Sequence, residues 1–571
     1  MNEIYAIKKK WFDFLIKVIW ILFTIIITYL LLGSIFSTSF IGNLEFFIPE
    51  SGKIEITKEH TFYIRDTWWI HLAAFVFFSL VLFRFRLKNS RFIEIGCCII
   101  VTILAIIVAV LANRQPWSDQ RQVMEIAAAF NNGDYSALER GGYLFIYPFQ
   151  YGIVLFYQIC SLIFGNNNWL AFQVLNAFFI GLTYYFLILI LRKINYRFSD
   201  YTLTLCVSFF FTPYLFYTIL VYGNVVGLLF ALISFYCLLR FDENNRIIYV
   251  LTGCFTIVIS MVLKTNCQIF MIAEIIFLLF SIWQNYGNRR LQIRRILFIL
   301  LIIIGFIFSK NAVNHQLTKL AGEPVKGCPT VTWVAMGMQD SKMAPGWWNG
   351  YNDGTYKAND FDYEETKRAA VESIKNTISK YPDSIATMLG FYTKKIMCMW
   401  NNPLFQGLWL ADVTREGDSG LEFLLSGNGR YIYTWITNVL HTWILIGVFL
   451  YCIFGYRERK YQMILLPITF IGGFVFHIFW EEKCIFAMPY FLLLIPLCVL
   501  GYQYWREYLL LDKEKLAPTL SKVGIVLLLI CLLSYTKVFV KLIARNDDTH
   551  VFNTYTQETV RQNMEVEEKR E

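Results

Sequence analysis

Apolar runs of about twenty residues, separated by short basic clusters, recur along most of the chain and decide what it can fold into. A run of that length is one helical crossing of a bilayer, because a rise of about 1.5 Å per residue carries it across roughly 30 Å of hydrocarbon. With 57% hydrophobic and 18% aromatic residues among 571, the chain reads as a polytopic membrane protein. Its net charge of +9 does not point to nucleic acid, since the Lys and Arg residues stand in clusters between apolar blocks rather than on one face or tail. Most of the 13 cysteines fall inside apolar runs with no CxxC, so no disulfide framework is expected, and the six histidines never take metal-ligand spacing. Lys8, Lys9 and Lys10 precede an apolar stretch with no small-residue cleavage site, which reads as a first transmembrane helix rather than a signal peptide.

Blocks long enough to span lie near residues 12–36, 67–84, 92–112, 168–192, 201–220, 222–240, 247–263, 266–284, 295–312, 431–455, 461–480, 483–503 and 521–540. A shorter block at 149–164 has the broken start "YPFQYG". Lys and Arg near membrane ends accumulate on the cytoplasmic side, and this rule arbitrates. If 149–164 lies in the interface, the clusters at 8–10, 84–91, 192–197, Arg240 and Arg246, 289–295 and 457–460 all fall inside. The expected architecture is therefore all-α with about thirteen transmembrane helices, the N-terminus cytoplasmic and the C-terminus outside. Residues 113–148, the turn "LKTNCQ" (263–268), the segment 313–430 and "WEEK" (480–483) then share one extracytoplasmic face. The division that follows is an N-terminal membrane module (1–312) whose outer loop 113–167 carries the site, an outer domain (313–430), C-terminal membrane helices (431–540) and a polar tail (541–571).

Within 113–148, Val123, Ile126, Ala127 and Phe130 recur at helical spacing, Ser118 or Asp119 can cap the start, and Asn131-Asn132-Gly133 can end it. This reads as a short amphipathic helix on the membrane surface, with Asp119 in its first turn on the side of Val123 and aimed at the buried face. Asp119 as a plain N-cap is the competing reading. The outer side is expected to be mixed α/β. "KIEIT" within 40–66 alternates like a strand and suggests a small hairpin, and 313–430 holds a Gly- and Trp-rich loop (344–356), a polar helix (363–380) and a basic amphipathic piece (389–400).

A first outer loop opening on an acid, interfacial helices, the turn at Tyr147-Pro148, the run "LIFGNNNWLAFQVLNAFF", many further spans and an outer domain resemble the GT-C superfamily of membrane glycosyltransferases. Bacterial protein O-mannosyltransferases and the aminoarabinose transferase of lipid A are members of it. The segment "WEEKCIFAMPYFLLLIP" (480–496) is similar to the late E-x-x-RY-x-x-P motif of many members. Two departures stand out: Gln120 follows Asp119 where the family often has a second acid, and Cys484-Ile485-Phe486 occupies the place of Arg-Tyr. The resemblance implies transfer of a sugar from a polyprenyl-phosphate carrier to an acceptor on the extracytoplasmic face.

That chemistry needs a carboxylate to take the acceptor's proton and cations to hold the departing phosphate. Asp119 is the expected base, with Glu125, Asp134 and Glu139 next in line. Lys264 is the sharpest phosphate candidate, because it sits in a very short outer turn where its charge is otherwise unfavourable; a snorkelling lysine is the bland alternative. Arg121, Arg140 and Lys483 are further phosphate candidates, and Tyr147, Glu481, Trp347 and Trp348 are substrate-binding candidates. No metal ligands and no required cofactor are expected, although a divalent metal stays open. The expected partners are the lipid-linked donor, a glycan, lipid or protein acceptor, and membrane lipids. The rival class is a polytopic transporter or a flippase for lipid-linked sugars. Transporters usually place charges or helix breaks near mid-span and show symmetry between halves, whereas here the charges gather at outer span ends.

Overall fold

The computed structural model describes residues 2–48, 53–382, 385–412, 419–425, 427–455, 458 and 460–511. The expected last span (521–540) and the tail (541–571) lie outside the described residues. The protein is an all-α polytopic membrane protein with, among the described residues, one small two-stranded sheet. Among the described residues, eight helices are long and apolar enough to cross a membrane, or up to 11 if three bent pairs each count as one span. The expected blocks at 67–84 and 247–263 form helices of 17 residues, Trp68–Arg84 and Ile247–Leu263, which are short for a full crossing.

Two of the three bent pairs break at a proline. Ser136–Ile146 and Pro148–Phe164 meet at 100°, with Pro148 at the joint. Proline has no N–H to continue the helix, so the chain changes direction at this joint. Thr202–Phe209 and Pro213–Ile219 meet at 52°, again at a proline. Arg289–Ala321 is a single helix of 33 residues that runs past residue 312. At about 1.5 Å per residue it is roughly 50 Å long, more than a bilayer core needs, and its polar last turns continue beyond the apolar stretch. It stops at Gly322, whose φ of +79° supplies the left-handed residue that ends a helix.

The basic clusters converge on one end of the helix bundle. Arg192 pairs with Glu94, Arg197 with Glu458 and Glu507, Arg506 with Asp200, Lys193 with Glu243, and Arg295 with Asp242. Helix Gly223–Asn244 runs from the opposite end, where it starts beside Lys264, toward this one. At the Lys264 end, the regular elements described in residues 313–425 are helices, including Val331–Gly337, Tyr351–Ala358, Tyr363–Ser379 and Ile385–Trp400, joined by loops, one of which carries an isolated bridge at Trp347. Asp362 caps Tyr363–Ser379 by accepting from the Glu365 N–H at 2.8 Å.

Among the described residues the strands come from the hairpin alone: β1 (Ser37–Ile48) pairs antiparallel with β2 (Lys53–Arg65). Its base is strapped to helix Ile385–Trp400 and to the segments around Met343 and Asn401. Ser39 N–H donates to Asn401 O at 3.2 Å, Thr61 N–H to Met343 O at 2.8 Å, and the Tyr63 hydroxyl to Lys394 O at 3.0 Å. A half-buried Asp66 carboxylate anchors the hairpin's exit, accepting from Thr38 at 2.6 Å and facing His71 Nε2 at 2.9 Å.

Candidate active site

The first wall of the site is the helix Asp119–Asn131, which forms over the expected residues. Val123, Ile126, Ala127 and Phe130 are all buried, so the amphipathic spacing does become a packed face. Ser118 occupies the N-cap position with φ +53° and makes no side-chain cap hydrogen bond; Asp119 is the first helical residue and is solvent-exposed. Its neighbour Gln120 pins this end down, accepting from the Val221 N–H at 3.0 Å. The carboxylate of Asp119 is within electrostatic range of Lys264, Lys483, Glu481 and Tyr222, which come from three other parts of the chain.

Lys264 forms the second wall, at the C-cap of helix Ile247–Leu263. Its ammonium lies 4.3 Å from the centre of the Tyr222 ring and 5.4 Å from that of Phe486. Among the described residues it has no ion pair or hydrogen bond; the charges of Asp119 and Glu481 reach it from farther away. Burial pushes it down to about 8, against the pull of those two carboxylates. The turn can sit this deep because helix Gly223–Asn244 begins on glycine: a Cβ at Gly223 would stand 2.1 Å from the Leu263 carbonyl oxygen. Tyr222 is held from the other side by the Gln150 side-chain amide, which donates to its hydroxyl.

The third wall is the 480–483 segment, which runs beside the Trp347 loop: Glu482 N–H donates to Gly346 O at 2.7 Å, and Trp347 and Glu482 form a parallel bridge. Alternation along this extended stretch sends the side chains to different places. Glu482 is fully buried beside the Cys398 thiol, where desolvation pushes its carboxyl up to about 8. Glu481 and Lys483 are half-buried toward Asp119 and Lys264. Burial pushes Glu481 up to about 7 while Lys483 and Lys264 oppose that rise. For Lys483 burial works against the charge, but Glu59, Glu481 and Asp119 outweigh it and hold the ammonium above its ordinary value. Behind this wall the buried Lys395 donates to the carbonyls of Gly337 and Trp480, tying helix Ile385–Trp400 to the segment. Its own burial, offset in part by Glu482 and Glu481, brings it down to about 7.

Asp119, Lys264, Glu481 and Lys483 thus face one another, and Tyr147 lies at their edge, within range of Asp119 and Glu481. The remaining candidates are placed otherwise. Arg121 is exposed and pairs with Glu125 at 2.7 Å one turn along the same helix. Arg140 pairs with Asp360 at 2.6 Å and lies over the Phe361 ring, joining the 113–148 segment to the loop before helix Tyr363–Ser379. Trp347 is 1% exposed and forms the floor under Lys483, with 5.8 Å between ammonium and ring centre. Trp348, the next residue, is 45% exposed. Of the reserve bases, Glu125 is paired to Arg121, and Asp134 accepts from the Ser136 N–H at 2.9 Å. Among the described residues no group of three or more His, Cys, Asp or Glu side chains is arranged to hold a metal ion.

Three residues of the site were not singled out from the sequence: Tyr222, Lys395 and Glu59. Tyr222 has a local signal, since the glycine after it marks a close backbone approach at the start of an apolar block. Glu59 and Lys395 sit in ordinary polar patterns of a strand and a helix, and only the fold brings them near Lys483 and Glu482.

No protein-family model matches the chain, and no curated protein matches it significantly. Among solved structures, the chain is similar to the archaeal oligosaccharyltransferase AglB from Archaeoglobus fulgidus in complex with an inhibitory peptide and a dolichol-phosphate, with a TM-score of 0.41 and 11% sequence identity. That alignment covers 82% of this chain and 56% of the other, so this chain spans a little over half of that protein's length.

Proposed function

We propose that the chain is a membrane glycosyltransferase that moves a sugar from a polyprenyl-phosphate carrier to a hydroxyl of an extracytoplasmic acceptor. The observation that carries this reading is Lys264: a cation held in an aromatic-lined turn with no counter-ion in contact, facing a cluster that also holds an exposed carboxylate. An unmatched ammonium in such a place fits an anionic ligand, and a lipid phosphate can reach it from the membrane side. Lys483 supplies a second cation to the same cluster.

In the proposed reaction the acceptor hydroxyl oxygen attacks the anomeric carbon as the bond from that carbon to the phosphate oxygen breaks. The electron pair of that bond leaves on the phosphate, whose charge Lys264 and Lys483 stabilise; the hydroxyl proton passes to the Asp119 carboxylate. A single displacement inverts the anomeric configuration. Glu481, between the two lysines and Asp119, sets the charge balance of the site.

The test uses the purified, lipid-reconstituted protein with polyprenyl-phosphate sugars as donors. Asp119→Asn removes the proton acceptor but no cap hydrogen bond, so transfer is expected to fall by roughly 10²-fold or more, while the affinity for polyprenyl phosphate and the thermal stability stay near those of the parent. Transfer by the Asn variant within a few-fold of the parent would remove Asp119 as the base.

A further inference from the structure

The hairpin that begins at Ser37 departs from regular pairing at one point. Between the pairs Gly42–His60 and Leu44–Thr57, two residues of β2, Lys58 and Glu59, stand opposite the single residue Asn43. Glu59 takes φ +65°, a left-handed conformation that non-glycine residues rarely adopt. Such bulges bend a strand and re-aim one side chain. The re-aimed side chain is buried, with 8% of its surface exposed. Its Oε1 accepts from the Gln406 side-chain amide at 3.0 Å and lies 3.5 Å from Lys483 Nζ.

We infer that Glu59, delivered by this bulge, is a positioning residue for Lys483, and that the outer hairpin is thereby part of the phosphate-binding half of the site. Two independent observations meet here: a left-handed backbone at one residue of the described hairpin, and a buried carboxylate whose partners are one fixed amide and one cation of the cluster. Strain of this kind persists only where surrounding structure holds it, and here the strapping of β2 to Met343 and Lys394 does so. Glu59 orients the ammonium over the Trp347 floor and keeps it protonated. The other charges facing Lys483 are Asp119 from the first outer helix, Lys264 from its turn, and Glu481 and Glu482 from its own segment. Of these, Glu59 is the one at ion-pair distance among the described residues.

The role in phosphate binding rests on the transferase reading; the effect on Lys483 does not. The test therefore has two arms. In the first, the pH dependence of Lys483 acylation by an amine reagent is followed by peptide mass spectrometry in the full-length protein, with exposed Lys326 as internal reference. Glu59→Gln keeps the size and the Gln406 contact but removes the charge, and the Lys483 midpoint is expected to fall by about one pH unit or more. An unchanged midpoint overturns the inference. Should the Gln variant fail to fold, the parent protein decides: a Lys483 midpoint below that of Lys326 overturns it. In the second arm, binding of polyprenyl phosphate is compared at pH 7, where Lys483 stays charged in parent and variant alike; a loss of about tenfold in Glu59→Gln that Glu59→Asp recovers in part reads the lost positioning of the ammonium. A shifted midpoint with no phosphate binding by any variant, parent included, would keep Glu59 as the partner of Lys483 and reject the transferase reading instead.

Discussion

Replacing Lys264 tests the proposed chemistry most directly, because the structure limits what else the substitution can disturb. Its ammonium contacts two aromatic rings, at 4.3 and 5.4 Å, and no carboxylate is in contact with it among the described residues. Lys264→Ala therefore strands no buried counter-charge. The loss is the cation–π attraction, about 0.5–2 kcal/mol, and relief of the cost of keeping a charge in a poorly solvated turn offsets part of it. Folding should change by less than about 2 kcal/mol. A charge-assisted contact to a phosphate contributes about 1.5–3 kcal/mol. At about 1.4 kcal/mol per decade, affinity for polyprenyl phosphate should fall roughly ten- to a hundredfold. The pH profile sharpens the test. With Lys264 pushed down to about 8, the free protein loses the proton, and with it phosphate affinity, as pH rises through about 8. Lys264→Arg stays charged throughout, so this alkaline loss should vanish even if the bulkier group binds less well. Native mass spectrometry or a displacement titration with unsugared polyprenyl phosphate reads both effects without knowing the sugar. Unchanged affinity in the Ala variant, or an alkaline limb that survives in the Arg variant, would refute the assignment of Lys264 to the phosphate.

Gly223→Ala would place a methyl 2.1 Å from the Leu263 carbonyl oxygen, so the Lys264 turn must shift; a stability loss of about 1–3 kcal/mol with weakened phosphate binding is expected from thermal unfolding and titration, and a neutral result would show the turn to be pliant. Arg140→Ala breaks an exposed pair with Asp360 and should change stability by less than about 1 kcal/mol and leave transfer unaltered; a tenfold loss of transfer would return Arg140 to the phosphate site. For sidedness, a cysteine at Lys367 in helix Tyr363–Ser379 should react with a membrane-impermeant maleimide in intact cells, whereas one at Arg290 should react only after permeabilisation. The reverse pattern would put the cluster on the cytoplasmic side.

Helix positions and the gross architecture were legible because they depend on local physics: a twenty-residue apolar run satisfies its own backbone in lipid wherever its neighbours lie. The amphipathic spacing of Val123, Ile126, Ala127 and Phe130 likewise fixed the helix Asp119–Asn131 without reference to the rest of the chain. The chemistry of Lys264 was partly legible, since a lysine in a turn too short to solvate it is anomalous on sequence alone. What only the tertiary structure decided is which charges meet. Arg121, Arg140 and Lys483 look alike as interfacial cations, yet one bonds along its own helix, one crosses to Asp360, and one faces Asp119 and Lys264 over a buried tryptophan. Trp347 and Trp348 are adjacent in sequence and opposite in burial because a single parallel bridge to Glu482 sets their register. Glu59 is the extreme case: its place beside Lys483 depends on one extra residue in a strand, a distortion that an alternating pattern does not reveal and that contacts more than 300 positions away hold in place. Electrostatic partnership falls off over a few ångströms, and which groups come that close is a property of packing, not of spacing along the chain.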